Sequence, residues 1–174
     1  MFRAPMIRHP AAIFAAAMFA FLLPIAASAQ DVGLPLGTVV KPVQIEDLDG
    51  NAVDLAQYIG KKPVLFEFWA TWCPVCEALA PRLDAAAKKY QGKVDVVVVS
   101  VGVSQTPRQI KRHMTRHAMP GRVLWDGEGR ATRAFMAPST SYIAVLDAKG
   151  RVVYTGTGED QNLDAALAKA VAAR

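Results

Sequence analysis

The sequence predicts an α/β domain with a mixed central sheet flanked by helices, and three observations carry that reading. Val64–Trp69 and Val94–Val101 are almost wholly apolar, the pattern of strands buried on both faces. Each is followed by a helical pattern, at Cys73–Tyr90 and Pro107–His117, so the strands they join must run parallel. Tyr142–Leu146 and Arg151–Tyr154 flank the turn Asp147-Ala-Lys-Gly150, which adds an antiparallel pair.

The chain has 174 residues, enough for one domain with a real core, and its 52% hydrophobic content is raised by the first thirty residues. Residues 1–29 read as a signal peptide. Arg3, Arg8 and His9 precede an apolar run from Ala11 to Ala27, and Ala27-Ser28-Ala29 is a small-residue cleavage pattern. The alternative is an uncleaved anchor, although a run of about 17 residues is at the lower limit for a span. Either way the domain is expected outside the cytoplasm, and membrane contact is expected only through an uncleaved leader. The formal charge of +5 includes Arg3 and Arg8, and the remaining basic residues scatter without aromatic interleaving. No nucleic-acid partner is expected.

Beyond the leader, 30–42 reads as an extended lead-in and 43–174 as the folded domain. Val43–Val53 is an N-terminal β-hairpin extension turning at Asp49-Gly50 or Gly50-Asn51. Asp54 can cap a helical turn over Leu55–Ile59, which Gly60 ends. In the first long helix Pro81 is expected to introduce a kink. Thr106 is a candidate N-cap for the next helix, and Pro120-Gly121 closes that segment. Val123–Trp125 is a short strand, Ala131–Phe135 a helical turn before Pro138, and Leu163–Ala172 the closing helix.

Both cysteines fall in one C-x-x-C, Cys73-Pro-Val-Cys76. A bridge across two residues closes almost no loop and removes little entropy from the unfolded chain, so stapling is a poor explanation. Reactivity is a better one. A helix opening at Cys73 gives that thiol backbone N–H groups and the positive end of the helix dipole, which stabilise a thiolate. Cys76 shares the helix face one turn further in. Cys73 is therefore the expected attacking thiolate and Cys76 the resolving thiol, together forming a redox-active disulfide. Pro74 suits the first helical turn, where a missing N–H costs little. Haem attachment needs His where Glu77 stands, and a zinc site needs a second cysteine pair. No metal or cofactor is expected. His113 and His117 lie four apart, but Lys111, Arg112 and Arg116 around them point to a solvated face rather than a copper site.

Phe66-Glu-Phe-Trp-Ala-Thr-Trp-Cys-Pro-Val-Cys76, with Pro81 five residues on, resembles the TlpA/ResA-like branch of the thioredoxin superfamily. The resemblance runs over about 35–172 and includes Gly60-Lys-Lys-Pro63 and Val123-Leu-Trp-Asp126. It implies a thioredoxin fold and a periplasmic or membrane-tethered reductase of protein disulfides, serving cytochrome c maturation or disulfide repair. The implied partners are a disulfide-containing protein substrate and a membrane thiol-transfer protein as electron donor. A disulfide-introducing oxidase and a copper chaperone or assembly factor are the alternatives, with a peroxidase fitting the dithiol spacing less well. The apolar Pro-Val pair between the cysteines favours a reductant over an oxidase.

The resemblance also implies roles for further residues. Glu67 matches a buried carboxylate beneath the second cysteine, where burial raises its pKa and suits it to take the proton of Cys76. The alternative is an outward-pointing structural carboxylate. Trp69 is expected to pack inside and Trp72 to flank the reactive thiol. Pro138 is the candidate for a cis-proline opposite the disulfide, with the backbone of Ala137 pairing with an extended substrate strand. Pro138 lies twelve residues before Gly150, whereas the related pattern has about nine.

Overall fold

The computed structural model describes Met1 and residues 32–173. The expected signal peptide lies outside the described residues. Among those described, no helix is long and apolar enough to cross a membrane.

The strands are β1 (Gln44–Asp47), β2 (Ala52–Asp54), β3 (Val64–Trp69), β4 (Asp95–Val101), β5 (Arg122–Asp126), β6 (Tyr142–Leu146) and β7 (Val152–Gly156). They form one seven-stranded sheet in the order β2-β1-β5-β4-β3-β6-β7. β3 pairs in parallel with β4 and β4 with β5, while β6, β7, β1 and β2 add antiparallel edges. Every residue of β3 is buried, which is why its sequence shows no polar alternation. The fold is a thioredoxin fold.

The helices are α1 (Pro74–Lys89), α2 (Pro107–Met114), α3 (Arg130–Ala134) and α4 (Leu163–Ala172), with a 3-10 turn at Leu55–Gln57 capped by Asp54. Leu65 of β3 packs with Leu79 and Leu83 of α1 and Leu167 of α4, so these helices share one face. Both parallel crossovers step the same way across the sheet, and right-handed connections then put α2 on the face of α1. Phe66 and Phe68 point to the opposite face, where the Phe135 ring packs tilted against theirs at centroid distances of 4.7 and 5.4 Å. α1 runs through Pro81 as one helix.

α2 ends at Met114, three residues short of the expected His117. The Thr115 hydroxyl donates to Arg112 O, and the N–H groups of Arg116 and His117 both turn back to His113 O, which closes the helix in a tight turn. The lead-in is packed rather than free. Gly37 N–H donates to Val152 O and Val152 N–H to Thr38 O, and Leu34 and Val40 are buried.

Candidate functional site

β3 delivers the chain to the site. After Trp69 the chain turns, with Cys73 N–H donating to Ala70 O at 3.1 Å, and α1 begins at Pro74 with Cys73 as its N-cap. The Cys73 sulfur accepts the backbone N–H of Cys76 at 3.1 Å, the contact by which a helix N-terminus stabilises a thiolate. Cys73 and Cys76 are joined in a disulfide with Cα atoms 5.3 Å apart. Cys73 is 6% exposed and Cys76 1%, so the first cysteine is the more accessible. Pro74 occupies the start of the helix and is exposed.

Strand alternation puts Glu67 on the same face as Leu65, toward α1, whose inner side presents Cys76 and Leu79. Its pKa is pushed up to about 8, chiefly by burial and further by the charge of Asp84. One carboxyl oxygen, Oε2, is buried with no hydrogen-bond partner, which favours the neutral acid. Its cross-strand neighbours Val98 and Ile143 are apolar and offer it nothing.

Two grooves meet at Trp72, beside the disulfide. One is lined by Trp72, Val103, Gly127, Ala137, Pro138 and Thr140. The other lies between α1 and the end of α2 and is lined by Trp69, Cys73, Cys76, Asp84, His113 and Met119. Trp69 is buried, whereas Trp72 is 47% exposed and donates its indole N–H to Val103 O at 2.8 Å. Trp72, Val75, Val103 and Met136 leave large apolar side chains exposed around the site.

The proline expectation needs correction. All peptide bonds of the described residues are trans, so Pro138 is not a cis-proline. Ala137 has already donated its N–H to Thr132 O at 2.9 Å and has no donor left for a substrate strand. The residue nine before Gly150 is Ser141, which directly precedes β6. Ser141 is 3% exposed with φ 64°, and its N–H donates to Phe68 O at 2.8 Å. The spacing mismatch in the sequence was the signal that Ser141, rather than Pro138, holds this place. Pro138 forms the wall of the Trp72 groove instead.

His117 is exposed, as a solvated face requires, but the expectation needs correction for His113. His113 is half-buried, edge-on to Trp69 at 5.2 Å and stacked on His117 at 4.4 Å. Burial, with the neighbouring charges of His117 and Arg116, holds His113 below its ordinary pKa. It belongs to the groove beside the disulfide and not to a solvated face. Among the described residues no group of three or more His, Cys, Asp or Glu is placed to hold a metal ion.

Gln105 has no counterpart in the sequence reading. It is 6% exposed, its Oε1 accepts Thr71 N–H at 2.9 Å, and its Nε2 donates to Val101 O at 2.7 Å and to Ser100 Oγ at 3.2 Å. Its partner on the reactive turn is 34 residues away in sequence, so no local pattern marks it.

The Redoxin family pattern matches residues 32–171. The thioredoxin-like protein YneN of Bacillus subtilis is 29% identical over 144 residues, covering 80% of this chain and 83% of its own. The thiol-disulfide oxidoreductase ResA of Bacillus thuringiensis is 25% identical over 115 residues, covering 66% and 65%. The structure of a secreted Mycobacterium tuberculosis disulfide oxidoreductase superposes with a TM-score of 0.61 at 22% identity, over 72% of this chain and 94% of that one. That likeness speaks for the fold. With its cysteine pair at the mouth of a thioredoxin fold, the chain belongs to the Redoxin family and is a TlpA/ResA-like protein.

Proposed function

We propose that this thiol–disulfide oxidoreductase is a reductase of protein disulfides working outside the cytoplasm, with Cys73 as its attacking thiol. The observation that carries the reading is the asymmetry of the pair: Cys73 caps α1 and accepts the Cys76 N–H, while Cys76 is shut inside. The Cys73 thiolate attacks a substrate disulfide, forms a mixed disulfide and releases one substrate thiolate. The Cys76 thiol then attacks Cys73 Sγ, closing the Cys73–Cys76 bond and releasing the second substrate thiolate. The ionised form of Glu67, the minor form at neutral pH because its pKa is about 8, takes the proton of Cys76 in that step. A membrane thiol-transfer protein returns two electrons and two protons to restore the dithiol.

The exposed apolar rim of Trp72, Val75, Val103 and Met136 suits a polypeptide partner. Among the described residues the N–H groups of Ser139 and Thr140 have no partner, so this segment, rather than Ala137, is the edge on which an extended substrate strand pairs. The lack of a polar residue between the cysteines supports a reducing poise. Equilibration of the isolated protein against a glutathione or dithiothreitol couple tests the direction. A potential near that of thioredoxin, about −270 mV, is expected, and one near about −120 mV would assign the oxidase reading instead.

A further inference from the structure

The geometry points to Gln105 as a positioning residue that straps the loop after β4 to the reactive turn, with the Trp72–Val103 hydrogen bond as a second strap. The inference rests on the reading of Cys73 as the attacking thiol. Gln105 uses its whole amide for this. One end accepts Thr71 N–H at 2.9 Å, two residues before Cys73, and the other is fixed on Val101 O at 2.7 Å and Ser100 Oγ at 3.2 Å. The Trp72 indole N–H, at 2.8 Å from Val103 O, ties the next residue of the turn to the same loop.

Between these straps Ser104 sits at φ 53°, a left-handed conformation that a non-glycine residue adopts at a cost. Such a conformation persists where the surroundings over-determine it, and the two straps supply that determination. Val103, 61% exposed, forms one wall of the groove beside Trp72. The wall a substrate would touch and the turn that aims Cys73 are thus held as one body.

The consequence is chemical. Cys73 is stabilised as a thiolate only while its sulfur faces the N-terminus of α1, where it now accepts Cys76 N–H at 3.1 Å. Without Gln105 the Thr71 N–H loses its acceptor in a partly buried turn. The turn then relaxes, and Cys73 leaves that alignment. The titratable groups that share the groove with the sulfur are Cys76, Glu77, Asp84, His113 and His117, with Glu67 buried on β3.

The test uses the full chain in its reduced form, with Gln105→Met, Trp72→Phe and Ser100→Ala. Thiolate absorbance is followed against pH, and iodoacetamide labelling is located by peptide mass. Gln105→Met is expected to raise the Cys73 titration midpoint by half a pH unit or more and to slow labelling at neutral pH at least threefold. Trp72→Phe, a change at a half-exposed side chain, moves the midpoint in the same direction by less. Ser100→Ala, which keeps the Thr71 bond, leaves the midpoint within 0.2 of a unit. If Gln105→Met does not fold, Trp72→Phe decides the matter, and an unmoved midpoint there overturns the strap. Labelling of wild type at Cys76 would instead overturn the attacker reading. Labelling at Cys73 with neither variant shifted would overturn the strap alone.

Discussion

The two sulfurs of the disulfide stand in different surroundings although only two residues separate them. Cys73 meets the N-terminus of α1 and Cys76 the interior, and behind them Glu67 is kept neutral by burial. For Glu67 the folded pKa of about 8 lies above the ordinary value of 4.5. The stability tied to its neutral form is therefore fully present below pH 4.5 and is lost as pH rises through 8. The slope is at most about 1.4 kcal/mol per pH unit. Glu67→Gln removes that dependence, so urea unfolding at pH 5 and pH 8 should show the variant gaining about 2–4 kcal/mol on wild type between them. Equal responses would mean that Glu67 titrates normally in the fold. Glu67 was legible in the sequence because aromatic residues flank it in an apolar run. Gln105 was not, because its role depends on a tertiary contact between two loops. Ser141 was legible only as a discrepancy in spacing from Gly150.

At the scale of elements, β3 and β6 coincide with the expected Val64–Trp69 and Tyr142–Leu146, since buried strands bounded by turns leave little freedom. The start of α2 was equally readable through its expected cap Thr106, and α4 starts on a side-chain cap of the same kind. Thr106 Oγ1 accepts Gln109 N–H at 3.4 Å, and Asn162 Oδ1 accepts Ala165 N–H at 3.0 Å. α3 was expected at Ala131–Phe135 and runs over Arg130–Ala134, but its capping group was not readable because it comes from the end of β5. The Asp126 carboxylate, 1% exposed, accepts Ala131 N–H at 3.0 Å, Thr132 N–H at 2.8 Å and the Thr132 hydroxyl at 2.7 Å. Asp126→Ala leaves three donors unmet and should cost about 2–4 kcal/mol, while Asp126→Asn keeps an acceptor and costs less. Denaturant midpoints of the two variants check this ordering. Equal midpoints would show that the carboxylate does not hold α3.

The whole molecule depends on segments that looked peripheral in the sequence. Residues 30–42 read as a lead-in, yet the described part, 32–42, bonds to β7 and reaches the phenol of Tyr142, which accepts Leu34 N–H at 3.2 Å. Tyr142 opens β6 directly after Ser141, so the lead-in buttresses the strand start beside the site. Gly33 has φ 81°, and a β-carbon there would collide with the Tyr142 ring. Gly33→Ala should lower the thermal midpoint by several degrees, whereas Gly37→Ala, strained but unobstructed, should lower it less. The reverse order would remove the lead-in from the account.

The central claim concerns which sulfur attacks, and trapping reads it most directly. Reduced Cys76→Ser protein mixed with insulin should form a one-to-one covalent adduct through Cys73, seen on a non-reducing gel and located by peptide mass. Cys73→Ser should form none under the same conditions. An adduct through Cys76 in the Cys73→Ser protein at equal yield would contradict the assignment of the two sulfurs.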